Sequence, residues 1–489
     1  MRKTEILLLT ILITGLFSCN QIPGEYQVSS DQPDIFPDIK DIKIPDNIAP
    51  LNFRLNKSSS DKIIAVFEGK NASISISGKT RIQIPIRKWR RFTQTNSGGN
   101  LVVTIYENQS GKWIKYAPFG IEISNISIDP YIVYRLIAPG YESWSSMGIY
   151  QRNLTNFDED PIIDNRMLTG NCMNCHSFNK NDPGKFVFHL RGKIGATILN
   201  NETDIIKLNT KTDKTISNCV YPYWHPSGNY ISFSTNIIYQ YFHTDPAKRI
   251  EVSDTESDLV VYDIKSNKLI SNPVIASKTS FETFPTFSPD GKLLIFCSAP
   301  KTSIPADYDK IRYSLCSITF DEETGKFGSR VDTLISSFRT GKSVSFPRVS
   351  RDGKWLMFTL SDYGNFSIWH KEADLHLMNM ENGTIQSVSS ANSDETESYH
   401  SWSSNSNWFI FSSRRIDGLY TRPYIAWIDD NGEASKPFLL PQKNPDHYDF
   451  NLRSFNVPEL VQGRVKAKGR KLVKTIKSKA TDVVFELRD

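Results

Sequence analysis

Four stretches of this chain are variants of one hairpin, and no other feature restricts its fold as tightly. They read YPYWHPSGNYISFS from Tyr221, FPTFSPDGKLLIFC from Phe284, FPRVSRDGKWLMF from Phe346 and YHSWSSNSNWFIF from Tyr399. In each, a short aromatic segment enters a turn of Pro, Asp, Gly, Ser or Asn, the residues that supply bent and positive-φ backbone. An apolar strand follows. A fainter copy, DPGKFVFH, starts at Asp182. Repeats spaced by about 43 to 63 residues, each with room for four strands, mark the blades of a β-propeller.

These segments resemble the propeller repeats of the TolB type, whose pattern is an aromatic residue, two variable positions, W/F-S-P-D-G-K and an apolar strand. The third copy has Arg351 at the Pro position and the fourth lacks the Gly. The resemblance covers residues 181–455 and implies six blades, of which five are marked in the sequence and the sixth follows from ring closure.

Before the repeats, SISIS from Ser73 and RIQIPI from Arg81 alternate apolar with polar residues around a Gly78-Lys79 turn. The same period recurs at 101–106 and 121–128, so residues 51–165 are expected to form a sandwich-like antiparallel β domain. The whole chain is then all-β. Residues 19–50 carry five prolines among Asp and Ser and are expected to be an extended tether. Lys88-Trp89-Arg90-Arg91 is expected as an exposed loop, and Asp429–Gly432 as a hairpin turn that lacks the downstream acid of a calcium loop. The tail, residues 456–489, holds eight Lys or Arg and no acid between Arg464 and Lys479, a run expected to be solvated.

Between the β domain and the repeats lies GNCMNCHSF, residues 170–178. With 6 Cys and 8 His in 489 residues, a shuffled chain would contain C-x-x-C-H only about 0.001 times. Its spacing fits covalent haem: two thiols add across the porphyrin vinyl groups, and the adjacent histidine reaches the iron. One haem c is therefore expected in segment 166–180, held by Cys172 and Cys175, with His176 as proximal iron ligand. For the distal face the candidates are His189, favoured because it lies close downstream at a strand position, then Met147 or Met167, then no ligand. Rivals are weaker. A thioredoxin-like pair needs a βαβ context, zinc needs a second ligand pair, and a Cys172–Cys175 disulfide closes a small strained loop. Cys219, Cys297 and Cys316 remain as an odd set, the last two at strand-like core positions. His225 and His400 fall at repeat positions and are expected to be structural.

The N-terminus sets the compartment. Met1-Arg2-Lys3, an apolar run from Ile6 to Phe17, then Leu16-Phe17-Ser18-Cys19 form a short export signal. It resembles a bacterial lipoprotein signal, which implies cleavage after residue 18, lipidation of Cys19 and a periplasmic body anchored to the outer or inner membrane. Haem is attached to thiols in that compartment, so the two motifs agree. A formal charge of +5 gives no reason to expect a nucleic-acid partner. The combined expectation is an electron carrier whose propeller docks protein partners, rather than an enzyme. The alternative is an envelope scaffold that binds protein, with haem structural or absent.

Overall fold

A computed structural model describes residues 22–56, 60–138, 146–202, 204–244 and 249–488; Cys19 and the export signal lie outside them. Almost all of its regular structure is strand, in six four-stranded blades and an N-terminal domain. Blade 1 runs outward from Asn171–Phe178 through Lys185–Gly192 and Ala196–Asn201 to Asp204–Asn209. Blades 2 to 5 begin on the inner strands Cys219–Trp224, Ser280–Phe287, Ser343–Val349 and Glu397–Trp402. Each inner strand packs beside the next around the ring.

The sixth blade joins chain segments some three hundred residues apart. Its inner strand is Ser454–Val461, paired antiparallel with Tyr131–Ile137, which pairs with Gly148–Asn153 and then Glu159–Asp164. The boundary expected at residue 165 therefore falls inside the ring. Two further expectations change with it. The segment expected as a separate haem-attachment linker, 166–180, contains the inner strand of blade 1. The segment expected as a free tail, 456–489, starts inside the closing strand. After that strand, the helix Arg470–Lys477 buries Leu472 and Ile476, while Thr481–Asp482 and Val484–Leu487 add in parallel to the outer edges of blades 1 and 2. Covering an outer strand in this way satisfies backbone groups that would otherwise offer an open edge.

The repeated turn has one geometry. Gly228, Gly291 and Gly353 hold φ of 78°, 77° and 77°, a region that costs a residue without Cβ nothing. In the fourth copy Ser406 takes that place at φ 64°. A side chain before the turn ties it down: Ser288 donates to Asp290 at 2.6 Å and Ser403 to Asn405 at 2.6 Å. His225 occupies the same slot, 2.8 Å from Ser227 Oγ.

The N-terminal domain is a seven-stranded sheet with a small three-stranded sheet and a helix. The helix, Ile86–Thr95, stands where Lys88–Arg91 is expected as a loop; it buries Trp89 and Phe92 against Phe67, with ring centroids 5.7 and 6.4 Å away. Nor does the proline-rich segment hang free. Ile35, Ile39, Ile42, Ile44 and Ile48 are buried, and Ile42–Pro45 pairs in parallel with Phe119–Ser124. The domain shares one apolar core with Trp355, Met357, Trp408 and Ile410 of blades 4 and 5.

Candidate functional site in the propeller channel

All six inner strands carry the same irregularity. A bulge shifts the register between Asn174 and Ser177 in blade 1 and at the matching place in every other blade. At each bulge one non-glycine residue has positive φ: Cys175 at 49°, Tyr221 at 50°, Phe284 at 50°, Phe346 at 51°, Tyr399 at 52° and Val457 at 51°. Side chains other than Gly rarely adopt this region, and each instance costs of order 1 kcal/mol. The bulge turns that side chain toward its counterparts. Tyr221, Phe284, Phe346 and Tyr399 make a chain of ring contacts, with successive centroids 4.5, 4.2 and 4.7 Å apart.

The aromatic belt is broken where blade 6 meets blade 1. There the slots hold Val457 and Cys175, and the missing rings leave room. A cavity of about 230 Å³ opens at this gap, lined by Cys172, Cys175, His176, Val457, Tyr399 and Met147 among others. The C-x-x-C-H stretch is thus the first blade's inner strand, with its second cysteine in the belt position and His176 in the position that Pro222, Pro285, Pro347 and Pro458 fill in blades 2, 3, 4 and 6 and His400 fills in blade 5.

The three motif side chains share this cavity in chemically distinct states. Cys172 and Cys175 are buried free thiols. Burial raises the Cys175 thiol above its ordinary value, opposed by the nearby charges of Arg191 and Arg135. Burial and then the Arg135 charge push His176 down to about 3, so its imidazole is neutral, the form that ligates metal. Among the described residues neither of its ring nitrogens has a hydrogen-bond partner of ordinary geometry, although backbone at Val457 and Val133 lies near. A buried imidazole with both nitrogens unsatisfied is uncommon in native structures. Among the described residues no group of three or more Cys, His, Asp or Glu side chains converges as a bare metal site would require. Iron in a porphyrin asks only one histidine of the protein on its proximal side, so this donor set suits haem better than zinc.

The distal candidates separate cleanly. Met147 is 3% exposed and lines the cavity. His189 does not line it; its ring lies in the sheet of blade 1, with Nδ1 3.3 Å from Thr197 Oγ1. Met167 packs at the edge of a different apolar cluster. Cys219, Cys297 and Cys316 also lie elsewhere, in apolar clusters between blades, and burial pushes Cys219 to about 12 and Cys316 to about 11. His225 and His400 each place Nε2 near a backbone carbonyl, Gly291 at 3.1 Å and Met357 at 2.9 Å.

Four cavity residues carry no sequence signal: Arg135, Arg191, Arg348 and Arg414. They sit on four different blades, so no local spacing unites them. Only the repeat register could have shown that positions 135, 191 and 348 fall on or next to inner strands.

No family model matches the chain, and no curated protein matches it. Solved propellers do. TolB from Acinetobacter baumannii is 13% identical over 77% of this chain and 85% of that one, with a TM-score of 0.43. Six blades whose inner strands pack side by side around a ring make the fold a β-propeller. The propeller domain of the Trilobed protease from Pyrococcus furiosus is 11% identical over 71% of this chain and 95% of that one, with a TM-score of 0.32. An oligogalacturonate lyase in complex with manganese is 12% identical over 62% of this chain and 72% of that one, with a TM-score of 0.35.

Proposed function

We propose that this chain is an exported, membrane-anchored, cytochrome-like propeller that carries one covalent haem in its channel and passes electrons to protein partners. The observation that carries the reading is the convergence of Cys172, Cys175, His176 and Met147 on one cavity opened by a gap in the aromatic belt. Cys172 and Cys175 would tether the group, each thiol adding across a vinyl so that its sulfur bonds one carbon and its proton goes to the other. His176 and Met147, which line the same cavity, would be the iron's protein ligands. Bound haem would supply reversible one-electron chemistry, with a thioether ligand favouring the reduced state. The chain's own contribution is a neutral imidazole, a channel wall that limits water, and a cationic surround. Anchoring through Cys19 would hold the ring at a membrane surface; among the described residues no helix is long and apolar enough to cross one.

Co-expression with the haem-attachment machinery tests this. A reduced spectrum with sharp c-type bands, lost in Cys172→Ser and Cys175→Ser, is the expected result. Identical colourless spectra from all three proteins would refute it.

One observation favours a second reading, a scaffold that binds protein without haem. The long hairpin of Tyr230–Phe242 and Ile250–Asp263 exposes Ile237 (44%), Tyr239 (49%) and Phe242 (54%), while its Ile238, Gln240, Ile250 and Val252 line the cavity. An exposed apolar strand segment beside a channel mouth suits partner docking in either case.

A further inference from the structure

The motif accounts for one wall of the cavity and leaves the charge on the others unexplained. Arg135, Arg191 and Arg348 lie on strands of blades 6, 1 and 4, and Arg414 directly follows a strand of blade 5. Outside the cavity, Arg415 meets the buried Glu397 at 3.0 Å, while the buried Arg152 and Arg422 spend their guanidiniums on Gln442 and backbone carbonyls. None of the four channel arginines forms an ion pair within 4.0 Å with a described residue.

Their hydrogen bonds leave much of this charge uncommitted. Arg191 has no hydrogen bond with a described residue. Arg348 donates to the carbonyl of its neighbour Pro347 at 2.8 Å and stacks on Tyr223 with its guanidinium 5.0 Å from the ring centre. Arg135 donates to Asn174 Oδ1, while its buried Nε has no partner. Arg414 is more firmly held, by the carbonyls of Ile368 (2.7 Å) and Leu419 (2.5 Å) and the face of Trp369 at 3.4 Å. Burial depresses Arg348 against the pull of Tyr223 and Glu459, and brings Arg414 down to about 9 against Tyr399, Asp417 and Glu395; among the described residues no acid lines the cavity itself.

Taking a charge out of water without an opposite charge nearby is among the costliest arrangements in a protein. Arg414 is buried and the other three are half-buried, and four charges of one sign around a single space add to that cost. A ligand in the cavity would lower it most if it brought negative charge in planar groups that match guanidinium forks.

We infer that Arg135, Arg191, Arg348 and Arg414 form a seat for the carboxylates of an organic dianion bound in the channel. The identity of that dianion rests on the proposed haem reading, under which its carboxylates are the two propionates of the porphyrin. The charge argument stands apart from it.

The test uses the full exported chain as the Cys172→Ala/Cys175→Ala variant, to which no porphyrin can attach. It is titrated with metal-free mesoporphyrin IX, with the dimethyl ester of the same porphyrin and with succinate, reading tryptophan fluorescence, since Trp369 lines the cavity. The diacid is expected to bind roughly 30-fold or more tightly than the ester, in keeping with the strength of charge-assisted bonds. That preference should disappear in Arg191→Gln/Arg348→Gln and shrink with added salt. Apo stability of this arginine variant should be unchanged or higher, because uncompensated charge has been removed. Binding of succinate alone, abolished by the arginine changes, supports the seat while counting against haem as its occupant. Equal binding of diacid and ester, or binding of none of the three probes, overturns the inference even if haem attaches to the wild-type chain. A lowered melting midpoint in the arginine variant also overturns it, because the arginines would then be braces of the fold.

Discussion

Replacing Phe455 by Ala should loosen the ring at the blade that the two ends of the chain build together. Phe455 lies on the closing strand, 1% exposed, with its ring 4.9 Å from Tyr134 of the adjoining strand and 6.1 Å from Tyr448. Its backbone contacts survive the change: N–H donates to Thr421 O at 3.0 Å, and its carbonyl accepts from Ser412 and Thr421 hydroxyls at 2.9 Å. Only the ring is lost. Removing a fully buried phenyl costs about 3–5 kcal/mol, part transfer and part residual cavity. With an unfolding entropy of ~2.1 cal/mol/K per residue, the 489 residues turn 4 kcal/mol into a fall of only about 4 °C in midpoint if the molecule melts as one unit. Hydrogen exchange is the sharper assay. Amides of Tyr131–Ile137, hydrogen-bonded to the closing strand, should lose protection by about the same free energy, while those of blade 3 lose less. Phe450→Ala, at a residue 78% exposed, serves as the control and should change stability by less than about 0.5 kcal/mol. The closing strand also carries Ser454, Asn456 and Val457 into the cavity wall, so haem retention should fall with closure. A loss under about 1 kcal/mol for Phe455→Ala, with protection of Tyr131–Ile137 unchanged, would refute closure through this strand.

Val457→Phe places a fifth ring in the aromatic belt and should fill the gap: the variant is expected to fold, with a cost of about 1–3 kcal/mol from overpacking, yet to carry less than a tenth of the wild-type haem by absorbance. Met147→Ala should open the distal face, giving a reduced protein that binds carbon monoxide, whereas His189→Ala should leave the spectrum unchanged; the reverse pattern would return the distal role to His189. His370 lies between Glu251 at 3.0 Å and Glu372 at 3.5 Å, and although burial opposes its charge, these carboxylates raise it to about 9. Because its folded pKa exceeds the unfolded value near 6.5, this cluster contributes roughly 3 kcal/mol that is fully present below about pH 6.5 and fades as pH rises through 9. The difference in denaturation midpoint between wild type and His370→Gln should therefore narrow over that window, and a pH-independent difference would contradict the assignment.

Blades 2 to 5 are legible because their turns are written locally, in Pro, Asp, Gly, Ser or Asn at fixed offsets from an aromatic strand. Blade 6 is not, because its inner strand and its three outer strands lie at opposite ends of the chain, and its belt position holds Val457 in place of an aromatic residue. The inner strand of blade 1 is hidden for a related reason: Cys175 and His176 replace the aromatic-Pro pair, so the stretch reads as a cofactor motif before it reads as a repeat. Trp89 and Phe92, three residues apart, do carry a helical signal, but the basic residues around them suggest a loop. The five buried isoleucines between Ile35 and Ile48 likewise mark packing that the prolines obscure. Cys172, Cys175 and His176 lie within five residues of one another and are therefore readable as a candidate site. Met147 and the four arginines reach the cavity only through tertiary structure, and no spacing along the chain could single them out.

The most direct measurement is the intact mass of the mature protein made with the haem-attachment machinery and freed of non-covalent ligands. The account predicts a gain equal to one haem, retained after acid–acetone extraction and absent from Cys172→Ala/Cys175→Ala. An unmodified mass, with both thiols free to react with an alkylating agent after denaturation, would contradict it.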